Sequence, residues 1–61
     1  MNEELEYYID SIIKLSNKAC TIKHKEDFNT SNYLQNEYKK CYAKIYSIKY
    51  KIMKLINNQS T

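Results

Sequence analysis

Sixty-one residues, a formal net charge of +3 and neither glycine nor proline make one domain at most, of a size at which a single core is marginal without staples or a partner. No stretch approaches the roughly 20 apolar residues that span a bilayer. Without Gly or Pro the punctuation of hairpin strands and tight loops is missing, and 28% charged residues favour long helices.

The N-terminal segment, Met1-Asn2-Glu3-Glu4, is acidic and leads into no apolar run, so a secretory signal is not expected. Helix 1 is expected over residues 3–28, with Asn2 as its N-cap. Glu3, Glu4, Glu6 and Asp10 sit toward the positive end of the helix dipole, and Lys14, Lys18, Lys23 and Lys25 toward the negative end. Leu5, Tyr8, Ile12, Leu15, Ala19 and Ile22 recur at strict 3–4 spacing, the pattern of a helix with one buried stripe. Residues 29–31 form the turn, inside the only cluster of capping residues, Asn29-Thr30-Ser31-Asn32. Ser31 or Asn32 can cap helix 2, Asn32 with Gln35 has capping-box spacing, and Phe28 is placed to fold over Leu34. Helix 2 is expected over 32–57, with Leu34, Tyr38, Cys41, Ile45, Ile48, Ile52 and Leu55 as its stripe and residues 58–61 as a frayed tail.

The two stripes mirror each other about Thr30. Leu5 with Leu55, Tyr8 with Ile52, Ile12 with Ile48, Leu15 with Ile45, Ala19 with Cys41, and Ile22 with Tyr38 all have numbers that add to 60. A mirror of this kind predicts an all-α, antiparallel, coiled-coil-like two-helix hairpin. Two helices enclose too little interior for an active site, so the chain is read as acting through its faces.

Those faces differ in chemistry. With Leu5 at heptad position a and Leu34 at d, positions e and b of both helices fall on one side of the seam and g and c on the other. The e and b side carries Ile9, Ile13, Cys20, Tyr42, Tyr46, Met53 and Ile56, interrupted by Ser16 and Lys49. A surplus of apolar side chains on so small a chain marks an interface, and helix pairs of this kind stack into four-helix bundles. The g and c side carries Lys14, Lys18, Lys25, Lys40, Lys44, Lys51 and Lys54 against Glu4 and Glu37, a local charge of +5. Such a stripe suits phosphates or an acidic surface. It is equally what a solvated helical pair uses for solubility, and arginine, the bidentate phosphate reader, is absent.

Candidate chemistry is sparse. Cys20 and Cys41 flank the turn almost symmetrically, but the heptad sends Cys41 into the seam and Cys20 to the apolar side, so they are read as two buried or half-buried free thiols in a reducing compartment. Cys20 and His24 have the i, i+4 spacing of two metal ligands; further ligands would have to come from Cys41 or Glu37, and His24 points away from the seam. No metal, cofactor, small-molecule substrate or catalytic group is therefore expected. Tyr42, Tyr46 and Tyr50, recurring every four residues, are read as packing residues rather than a base-stacking platform.

Ten Lys with no Arg, eight Ile, seven Asn and seven Tyr suggest an AT-rich source such as a virus, a phage or a low-GC bacterium, and the chain reads as a complete small reading frame. The architecture is similar to that of small dimeric hairpin regulators such as plasmid copy-control RNA-binding proteins; no sequence motif is shared, so the likeness extends to architecture alone. The expected function is a non-enzymatic protein–protein interaction module, a phage-, virus- or mobile-element-encoded regulator or inhibitor in the cytoplasm, whose partner is itself, as a homodimer, a host protein, or both. The alternatives are a dimeric nucleic-acid-binding regulator using the lysine face, and a structural subunit that completes a larger helical assembly. No membrane association is expected.

Overall fold

The described residues fold into two α-helices, α1 (Glu3–Lys23) and α2 (Asn32–Gln59), packed against each other as a hairpin. The computed structural model describes residues 3–59; the expected Asn2 cap and the last two residues of the expected frayed tail lie outside them. The hairpin is a rod of 48 × 16 × 11 Å with a radius of gyration of 14.4 Å, against about 10 Å for a compact domain of this length. Acidic Glu3, Glu4 and Glu6 open α1 and Lys23 closes it, as the helix dipole favours.

Helix α1 stops five residues earlier than the apolar spacing suggested. The amide of His24 still bonds the Cys20 carbonyl at 3.1 Å, but the next bonds, Lys25 to Ile22, Phe28 to Lys25 and Thr30 to Asp27, each span only three residues. The seam explains the change. Beyond Ile22 the inward positions would be Glu26 and Asn29, so further helix has no apolar side chain to bury. A helix running to residue 28 would also point Phe28 to the lysine side. The tighter turns instead bring its ring to 5.3 Å from Tyr38, edge to face, against a cluster that includes Leu34. Among the described residues no backbone angle is left-handed, so this connection has no need of the missing glycine.

Ser31, rather than Asn32, caps α2. Its hydroxyl accepts from the Leu34 amide at 3.2 Å, and its carbonyl accepts from the Gln35 amide at 3.1 Å. The Asn32–Gln35 capping box does not form, because the Gln35 side chain donates across the turn to the Phe28 carbonyl at 2.9 Å. Asp27 ties the connection down: its carbonyl accepts from the amides of Thr30 and Ser31 and from the Thr30 hydroxyl. Ser31→Ala should cost about 1 kcal/mol and lower the melting temperature by roughly 4–8 °C in a domain of this size. An unchanged thermal melt would show that this hydroxyl does not hold the start of α2. The far end of α2 runs through Asn58 and Gln59, two residues beyond the expected boundary.

Every residue expected in the seam is buried or half-buried, but dryness is confined to one end. Ala19 is 1% exposed, Cys41 3% and Ile22 6%, with Phe28, Leu34 and Tyr38 packed around them. From Leu15 and Ile45 outward to Leu5 and Leu55 the seam is only half covered. Two cylinders touch along a line, which leaves water on both flanks of that line. Near the turn the connection lies over the first turns of α2 and supplies a third layer; the open end has none.

Candidate interaction surface

An aromatic row leads from the dry core onto the surface. Phe28, Tyr38, Tyr42 and Tyr46 follow one another with ring centroids 5.3, 4.9 and 6.5 Å apart. The i, i+4 spacing along α2 places three of these rings on one side of the helix, and the bent connection adds Phe28. Lys23 lies 5.8 Å from the centre of the Tyr38 ring. The hydrogen bond with Tyr38, that neighbour's charge and partial burial push the Tyr42 phenol above its ordinary value, and Cys20 adds to the rise while Lys23 opposes it. The row expected from spacing alone was Tyr42, Tyr46 and Tyr50; Tyr50 is instead 67% exposed, and Tyr38 takes the place at the inner end.

All seven residues expected on the apolar face, Ile9, Ile13, Cys20, Tyr42, Tyr46, Met53 and Ile56, are exposed. Ile13 is 53% exposed and Ile56 50%, and neither has a polar tip to satisfy in water. The chain exposes 5055 Å², against about 4,200 Å² for a compact monomer of its mass. The excess of about 850 Å² follows from the rod shape, in which two helices side by side cover each other along one line only.

The opposite side bears a groove between the helices. Lys14, Lys44 and Lys51 rim it with the hydroxyls of Ser11 and Ser47, over a floor of Leu15 and Ile48. Lys18 and Lys25 line a second depression nearer the turn with Glu37 and Tyr33. Lys40 and Lys54, expected on the same face, are exposed and line neither. Asp10 pairs with Lys14 at 3.1 Å, and Lys51 stands 6.0 Å from the centre of the Tyr8 ring, so the lysines are partly answered from within the chain. Tyr8 in turn donates to Glu4 at 3.2 Å; partial burial first, then this bond and the charges of Glu4 and Tyr7, raise its phenol above the ordinary value.

Both cysteines are free, Cys41 buried and Cys20 exposed; the expectation that Cys20 is at least half-buried is corrected, because Cys20 follows Ala19 off the buried stripe of α1. His24 Nδ1 lies 2.8 Å from the Cys20 carbonyl and 3.6 Å from its Sγ. A carbonyl can only accept, so in that bond Nδ1 carries the proton and cannot take one from the thiol. Among the described residues no three His, Cys, Asp or Glu side chains gather as a metal site, and no helix is long and apolar enough to cross a membrane.

No protein-family profile, curated protein or solved structure matches this chain.

Proposed function

We propose that this chain is a non-enzymatic protein–protein interaction module that works by laying its apolar face against other helices. In this reading it pairs with itself as a four-helix bundle and regulates or inhibits a host protein. The observation that carries the reading is the imbalance between core and surface. Among the described residues three are buried, while Ile9, Ile13, Met53 and Ile56 stand 45–53% exposed. Exposed apolar groups on that scale cost solvation that association recovers. A two-helix seam, half wet along most of its length, gains most from a further layer. Light scattering at micromolar concentration should give at least twice the 7.4 kDa chain mass. A well-folded species of 7.4 kDa would defeat self-association.

The lysine-rimmed groove supports a second reading, a regulator that holds phosphates. Lys14, Lys44 and Lys51 converge on one groove with two hydroxyls, donors of the kind that bind a nucleic-acid backbone without reading its bases. The two readings are compatible, since the groove and the apolar face lie on opposite sides of the seam.

A further inference from the structure

We infer that a second copy of this chain covers the apolar face, with the turns of the two hairpins at opposite ends of the bundle. This deepens the interaction reading above and rests on it.

The charges of the face choose the orientation. On α1 the face runs Glu6, Ile9, Ile13, Ser16, Cys20, Lys23, every residue exposed. A two-fold axis perpendicular to the helices and lying in the face sets α1 on α1 of the second copy. It brings Glu6 to the partner's Lys23, Ile9 to the partner's Cys20, and Ile13 to the partner's Ser16. The same axis sets α2 on α2, with Tyr42 against the partner's Met53 and Tyr46 against the partner's Lys49, a sulfur–ring and a cation–ring contact. The centres of these two mirrors differ by two residues, about 3 Å along the rod, which the roughly 20° inclination of packed helices takes up.

The opposite orientation, with both turns at one end, lays α1 over α2 at equal height. Lys23 then meets the partner's Lys39, twice by symmetry, and Glu6 loses the lysine that the first arrangement sets opposite it. Like charges stand where the first arrangement has opposite ones, so the pairing is specified by repulsion as well as attraction. In the resulting bundle the two lysine-rimmed grooves face outward on opposite sides.

Cross-linking of the full chain decides it. Ile9→Cys sets a new thiol opposite the partner's Cys20, while within one chain the two positions are eleven residues apart, about 16 Å and beyond the reach of a disulfide. Lys39→Cys sets the thiol where the other orientation would join it to the partner's Cys20. Oxidation with diamide should convert Ile9→Cys, and not Lys39→Cys or the wild type, into a covalent dimer on a non-reducing gel, with peptide mapping showing the new thiol joined to Cys20. Cross-linking of Lys39→Cys alone, or a dimeric mass in which Ile9→Cys fails to link, would overturn this orientation and leave the docking face intact. A wild-type mass of 7.4 kDa would overturn both.

Discussion

Ala19→Asp should abolish the helical circular-dichroism signal at 25 °C. Ala19 is the most buried residue of the dry core, packed with Ile22 and Cys41. A carboxylate there is removed from water, and a buried unpaired charge costs about 3 kcal/mol or more. A chain of this length has a total stability of roughly 3–9 kcal/mol, and one with so small a dry core belongs at the low end. Ile48→Asp should be milder although it lies nearer the middle of the seam. Ile48 is half-buried and floors the groove rimmed by Lys44 and Lys51, so a carboxylate can reach water and a lysine. A thermal melt of Ala19→Asp indistinguishable from wild type would show that the Ala19–Ile22–Cys41 cluster does not hold the hairpin together.

The second large effect contrasts the two faces. Ile13→Glu with Met53→Glu should reduce the mass in solution to that of one chain, because it sets four like charges into the contact of two copies. Helicity and melting temperature should fall with it, since the wet half of the seam loses its covering layer. Lys44→Glu with Lys51→Glu should leave mass and helicity unchanged, as both residues lie on the opposite groove. If those lysines hold phosphates, that second variant loses nucleic-acid binding, and the wild-type affinity falls by close to one log unit per log unit of salt for each contact. A melting temperature in the wild type that rises with protein concentration would be the matching sign of association. Loss of the dimeric mass in the lysine variant, with the apolar variant still dimeric, would reverse the assignment of the faces.

The hairpin and its seam were legible from the amino-acid order because both are one-dimensional signals. A 3–4 apolar spacing specifies a helix stripe, and two stripes with matched positions about Thr30 specify which residues meet. The same counting assigned seven apolar side chains to one flank; each of them is exposed, and Lys14 of α1 lines one groove with Lys44 and Lys51 of α2. The turn was less legible. Ser31 and Asn32 offer the same capping chemistry, and what separates them is the Gln35 side chain, which is drawn to the Phe28 carbonyl only after the connection has bent. The early end of α1 did leave a trace, since Glu26 and Asn29 stand where the seam would have needed apolar side chains.

What the sequence by itself determined is the pair of helices and their antiparallel match, both set by periodicity. What only the tertiary structure decided is where water is excluded. Burial depends on a third layer, and spacing along a helix does not report one. The connection provides it over Ala19, Ile22 and Cys41, whereas Leu5 and Leu55, equal members of the pattern, remain half wet. The same absence of cover leaves Cys20 on the surface although its place among apolar neighbours suggested burial. A hairpin is two layers thick, and only its turn closes one end.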